Sequence, residues 1–154
     1  MTLRLLHMLA LFWMMAGVGS TVLPVWRAWR TAALEEKTLL LIQARANQSL
    51  WLVPGTIATA LTGFAWAAAD DWNPVTTGWL VALEALFVLH MFLFLPLFAV
   101  GVRRVELLAR LARREGRELP ELREALADNV PLVFGTLIVV NLPVMTWLAV
   151  FKPF

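Results

Sequence analysis

Residues 79–102 read WLVALEALFVLHMFLFLPLFAVGV, and Arg103 and Arg104 follow at once. The stretch carries a single carboxylate, Glu84, and a single imidazole, His90. Coiled as an α-helix it is about 36 Å long, enough to cross a hydrocarbon layer of ~30 Å. The surface helix of a soluble domain would show a polar face opposite its apolar stripe, and this segment has none. It is read as a membrane span whose arginine pair marks one edge.

Three more stretches share that character. They are 3–26 (LRLLHMLALFWMMAGVGSTVLPVW), 50–69 (LWLVPGTIATALTGFAWAAA) and 130–151 (VPLVFGTLIVVNLPVMTWLAVF). Each of the four holds a proline: Pro24, Pro54, Pro96, and the pair Pro131 and Pro143. Spanning helices tolerate proline because neighbouring groups re-satisfy the freed carbonyls. The chain is 60% hydrophobic over 154 residues, against about 45–50% for a soluble domain. Little chain is left outside the spans, so the reading is one membrane domain over residues 1–154, an all-α four-helix transmembrane bundle with no soluble catalytic domain. The first block is expected to stay as a span, because bulky Trp26, Trp29 and Arg30 stand where a signal peptide would place small residues. With no cysteine in the chain, disulfides, thiolate metal sites, iron–sulfur clusters and cysteine nucleophiles are excluded.

Charge placement orients the bundle. The connection after the first span holds Arg27, Arg30, Lys37 and Arg45, and the one after the third holds Arg103, Arg104, Arg110, Arg113, Arg114, Arg117 and Arg123. Eleven of the 13 cations are therefore on one side, and the short loop 70–78, DDWNPVTTG, has none. The positive-inside bias assigns the basic connections to the cytoplasm and both termini to the outside. Trp51, Trp66, Trp72, Trp79 and Trp147 lie near span ends and suit an interfacial belt.

The long basic connection has helical periodicity. Val105, Leu108, Leu111 and Ala112 recur at helical spacing, and Glu106 precedes Arg110 by four residues, the favoured ion-pair order. A helix is predicted to run out of the third span to about Gly116, and a second short one to cover 121–128, giving a helical hairpin against anionic headgroups. No stacking aromatics mark a nucleic-acid module.

Within the bilayer, helices associate through small residues and polar contacts. Thr56, Ala60, Gly63 and Ala67 form one stripe on the second span, which is expected to be central. Ala10, Gly17 and Thr21 form another on the first span, with His7 on it, so His7 is expected to face protein.

Polar groups inside spans are functional candidates by default. They are His7, Glu84, His90 and Asn141, with Arg4 at an edge. Their depths allow His7 to meet Glu84 near the outer surface and His90 to meet Asn141 near the midplane. Neutral imidazole is a good ligand for haem iron. The two histidines differ in depth by roughly 10 Å, which disfavours a shared bis-histidine haem and leaves a single-histidine site or two separate sites. No hydrolase triad, P-loop or zinc signature is present.

The first-span motif LLHMLALFWMMAGVG, with its His7–Trp13–Gly17 spacing, is joined by Pro54 and Thr62–Gly63, by GWLVAL, and by VRRVELLARL. This order resembles bacterial four-helix membrane proteins grouped as a domain of unknown function, distantly similar to the copper-resistance D membrane domain and to the membrane-embedded protoporphyrinogen oxidase. The resemblance implies haem b at His7. It also implies a lysine shortly after the third-span tryptophan, and here Trp79 is followed by Glu84 with no lysine in the span. That departure tells against porphyrinogen oxidation.

The expectation is an integral protein of the bacterial cytoplasmic membrane that binds b-type haem for a redox or electron-transfer role, with His7 as first ligand and His90 as second. The alternative is a cofactor-free accessory subunit of a larger respiratory or photosynthetic membrane complex, or a homo-oligomer. A third reading is copper handling through Met8, Met14, Met15 and His7.

Overall fold

Proline and glycine punctuate the helices. The computed structural model describes all 154 residues and contains four long helical segments and no strands. The first, α1, is Thr2–Arg30. After the three-residue turn 31–33 the chain forms α2, Leu34–Ala69, and after the acidic loop α3, Gly78–Glu115. Gly116 at φ +69° ends α3 in the left-handed conformation that glycine adopts without penalty. A short helix, α4, covers Pro120–Ala127, and α5 is Val130–Phe151, with Asn129 at φ +52° between them. All four segments are long and apolar enough to cross a membrane.

The basic connection after the first span is mostly helix. Leu34–Asn47 continues without interruption into the second span, where the sequence suggested only a linker. The predicted hairpin is present, with α3 ending at Glu115 and the short helix beginning at Pro120.

Each of α2 and α3 contains one widened π turn, at Gln48–Leu52 and at His90–Phe94. Pro54 and Pro96 lie two residues beyond them. A proline ring clashes with the carbonyl four residues earlier, here Leu50 and Phe92, and cannot donate to it. Widening the turn relieves the clash, and Val53 N–H reaches Gln48 O while Leu95 N–H reaches His90 O.

The helices form a ring in the order α2, α1, α5, α3. The glycines set the closest approaches. A Cβ on Gly17 would lie 2.6 Å from Leu52 Cα, and one on Gly55 would lie 2.8 Å from Met14 N, so α1 and α2 cross backbone to backbone. Gly135 of α5 instead makes room for side chains, the Phe98 ring and Val22, within 3.0–3.3 Å of where its Cβ would stand. The main core lies toward the arginine-rich end, around Val22, Leu41, Phe98, Val105, Leu122 and Ile138. There the Thr38 hydroxyl donates to Leu34 O (2.7 Å) with Ala109 O of α3 3.3 Å away, and the Trp29 indole donates to Leu126 O (3.0 Å). Glu106, 4% exposed, sits beside Arg110 and 3.9 Å from Arg45.

The first helix, not the second, is the most enclosed: 44% of its apolar window is buried, against 28% for α2. The small-residue stripe of α2 serves one neighbour, and its far side presents Ile57, Leu61 and Phe64 outward. α1 is gripped by α2 on one side and α5 on the other.

Candidate functional site

His7 lies on the buried stripe of α1 facing α2, as its position beside Ala10 and Gly17 predicts. Its Nδ1 is 3.0 Å from Thr62 Oγ1, and Thr62 Oγ1 lies 2.7 Å from Ala58 O. The hydroxyl's one proton is committed to that carbonyl, so Thr62 accepts and His7 Nδ1–H donates. This fixes the tautomer and leaves the lone pair on Nε2. Gly63 makes room for the ring, since a Cβ there would stand 3.0 Å from His7 Cε1. The Trp66 indole packs alongside at 5.7 Å between centroids. The expected meeting with Glu84 does not form. His7 bonds to α2, whereas the half of α3 that carries Glu84 packs on α5. Glu84 is half-buried and makes no hydrogen bond or ion pair.

Above His7 the helix ends are clasped together. Arg4 donates to Asp70 Oδ2 at 2.8 Å, and the Trp66 indole N–H donates to the same oxygen at 3.0 Å. The Arg4 guanidinium hydrogen bond, with the indole bond second, holds the Asp70 carboxyl below the ordinary carboxylate range. Trp66, Trp72 and Trp79 follow one another at 5.2 Å between ring centroids, and Lys152 Nζ stands 4.2 Å over Trp72. Three of the belt tryptophans are thus packed on one another.

His90 is a different case. It opens the π turn of α3 and is 1% exposed, and neither Nδ1 nor Nε2 has a hydrogen-bond partner. Its one stacking neighbour is Phe87, at 6.3 Å. Asn141 of α5 reaches α3 one turn earlier, at the Leu86 carbonyl, and no hydrogen bond joins it to the His90 ring. Its Nδ2 donates to Leu86 O at 3.3 Å and contacts Met145 Sδ at 3.2 Å. Leu86 O is also one of the two carbonyls that His90 N–H reaches. Asn141 and Met145 thus meet α3 at the Leu86 carbonyl, while the His90 ring stacks on Phe87 of its own helix. His7 belongs to the α1–α2 pair, so the two histidines do not converge.

The sequence reading missed Met145, and also two further buried polar atoms without partners, Thr21 Oγ1 and Gln48 Oε1. The signal for Gln48 was present: it precedes Pro54 by six residues, as His90 precedes Pro96, and each opens a π turn. Of the methionines weighed for copper, Met14 is buried while Met8 and Met15 face outward. No group of three or more His, Asp or Glu side chains gathers where it could hold a bare metal ion. One open recess of about 600 Å³ lies at the Arg4–Asp70 end, and another of about 430 Å³ lies between α1 and α5 beside Trp147. His90 lines neither.

Residues 1–153 match a family described as "Predicted integral membrane protein (DUF2269)". The chain belongs to the DUF2269 family. Its four apolar segments agree with that description. No curated protein and no solved structure matches this DUF2269 chain.

Proposed function

We propose that this DUF2269 protein binds b-type haem in the bacterial cytoplasmic membrane for a redox or electron-transfer role, with His90 as the residue that would hold its iron. One observation carries the reading: a fully buried imidazole at the middle of a span with both ring nitrogens unpartnered. Leaving such a group unsatisfied costs about 1–3 kcal/mol, so a buried orphan in a folded protein calls for a missing partner. A porphyrin fits the donor set. It supplies four of the iron's ligands itself and asks the protein for one or two, whereas a bare ion would need a cluster that this chain does not assemble. Bound there, the group would supply one-electron chemistry, its potential set by axial ligands and burial. His7, whose Nδ1 is held by Thr62, ranks second and mainly pins α1 to α2.

The orientation belongs to the same reading. The arginine-rich end faces the cytoplasm and the Asp70–Asp71 loop faces outward, supported by the eleven cations on one side. The absence of cysteine makes this easy to check, because single cysteines at Asp71 and Arg113 can be labelled with an impermeant reagent. Reagent added to intact cells reacts at position 71 and not at 113.

The deciding experiment expresses the protein with a haem supply, purifies it in mild detergent and records its spectrum. A Soret band is expected, lost in His90→Ala and kept in His7→Ala. A colourless protein refutes the haem reading. If that protein also co-purifies with larger membrane proteins, the accessory-subunit alternative takes its place.

A further inference from the structure

We infer that a buried water bridges Thr21 of α1 and Gln48 of α2, accepting the threonine hydroxyl proton and donating to the glutamine amide oxygen. This site lies on the α1–α2 pair and stands whether or not haem is held at His90.

Two orphan atoms carry the case. Thr21 is fully buried and Gln48 is 5% exposed, and neither Thr21 Oγ1 nor Gln48 Oε1 has a hydrogen-bond partner. The other three buried threonines behave differently. Thr38, Thr56 and Thr59 donate to the carbonyls of Leu34, Leu52 and Gly55, each four residues earlier. The equivalent acceptor for Thr21 is Gly17 O, and the Ser20 hydroxyl already donates to it at 3.2 Å. The Thr21 proton therefore lacks the partner that satisfies its counterparts.

The register of the crossing sets the two residues opposite each other. Along the antiparallel pair His7 meets Thr62, Met14 meets Gly55 and Gly17 meets Leu52. One turn further toward the arginine-rich end, the same register brings Thr21 to Gln48, on the faces that already carry Gly17 and Leu52. The next pair along is in direct contact, with Asn47 Nδ2 donating to Ser20 O at 2.8 Å. That carbonyl is the one Pro24 leaves unpaired, because a proline four residues on has no N–H to give. Contacts on both sides thus bracket Thr21 and Gln48 at a place where the helices are close.

Water suits the pair and a metal does not. The hydroxyl offers a proton and the amide oxygen accepts one, and a buried water asks for only about two to four polar partners. A hard cation takes about six or more oxygens with carboxylates among them, and Ser20, Thr21, Asn47 and Gln48 bring no acidic group. Left dry, both atoms are stranded. With one water between them both are satisfied, and α1 is tied to α2 a turn below the backbone crossing.

The test is radiolytic hydroxyl labelling of the full-length protein in detergent and heavy-oxygen water, with thermal unfolding beside it. A fully buried side chain next to a bound water takes up label, and one in a dry core does not. Leu52 is fully buried one turn from Gln48, and Leu122 is fully buried in the main core. In wild type Leu52 is expected to label several-fold faster than Leu122. In the double variant Thr21→Val with Gln48→Met, which removes both polar groups at similar volume, Leu52 falls to the Leu122 rate. Thr21→Ser keeps the fast labelling. Each single variant strands one atom and melts below wild type, and the double variant loses less than the two singles together. Leu52 labelling no faster than Leu122 in wild type overturns the water, even where the melting points are coupled, because a direct hydrogen bond then joins the pair. Labelling of Leu52 unchanged in the double variant overturns its place between Thr21 and Gln48, and so do melting-point losses that simply add.

Discussion

Gly17→Ala tests the backbone-to-backbone crossing of α1 and α2. The added methyl carbon would stand 2.6 Å from Leu52 Cα, 2.7 Å from Leu52 N and 2.8 Å from Trp51 C. Ordinary contact between carbons is about 3.5–4.0 Å, and backbone cannot rotate aside as a side chain can, so the helices must part by about 1 Å. A gap of that size forfeits a quarter to a half of each affected contact. Taking about 30 atom pairs at ~0.15 kcal/mol each, the loss is roughly 2 kcal/mol. That lies within the usual ~1–3 kcal/mol for overpacking. Gly19 provides the control, because a Cβ there meets nothing within 4 Å. Both changes raise helix propensity equally, so the difference between them isolates the crossing. Thermal unfolding in detergent, followed by circular dichroism, is expected to show Gly17→Ala melting well below wild type and Gly19→Ala at or slightly above it. Equal midpoints for the two variants would refute the close crossing.

Three further perturbations probe the ends of the bundle. The Asp70 carboxyl is held low by Arg4, so its contribution to stability is complete above its unfolded value of about 4 and drains away as pH falls below it; the melting point of wild type should drop between pH 4 and 2 more steeply than that of Asp70→Asn. Glu106→Gln removes the carboxylate that Arg45 and Arg110 share, and with those arginines still partly in water the loss is about 1.5–3 kcal/mol; the same unfolding assay reads it, and no change would show that the cluster is idle. Thr62→Val deletes the acceptor for His7 Nδ1–H at nearly constant volume; a cost of about 0.6 kcal/mol is expected for an interhelical bond in a membrane protein, while Thr62→Ser should be close to neutral.

The spans were legible because hydrocarbon imposes a single demand, that backbone groups pair within the segment, and 20 or so apolar residues meet it only as a helix. The hairpin after α3 was legible for a local reason too: Gly116 and Pro120 can hardly sit anywhere but at helix ends. Neighbour relations were harder to read. The stripe Thr56–Ala60–Gly63–Ala67 correctly marks an interface, but a stripe reports that one partner comes close and says nothing of how many partners surround the helix. α1 became the most enclosed helix because Gly17 and Val22 engage α2 and α5 on two faces, and only the second of those contacts depends on the distant Gly135 and Phe98.

The candidate site divides along the same line. His7 could be placed on its face from Ala10 and Gly17 alone, since all three belong to one helix. The partner was out of reach: Glu84 is nearest in depth, yet Thr62 wins because α1 lies against α2 while the outer half of α3 lies against α5. His90 had a local cue that its depth did not convey. Pro96 forces the turn before it to widen, and the residue that opens that turn is His90. Pro54 does the same for Gln48. At Pro54 and Pro96 the loosened turn that begins six residues upstream opens on a buried polar side chain without a partner, whereas Pro24 and Pro143 lie inside regular α-helix. If the wide turn is what keeps His90 open to a ligand, Pro96→Ala should let α3 close into regular helix and weaken ligation without touching the imidazole. A Soret band of unchanged strength and position in that variant would break the link between the proline and the site.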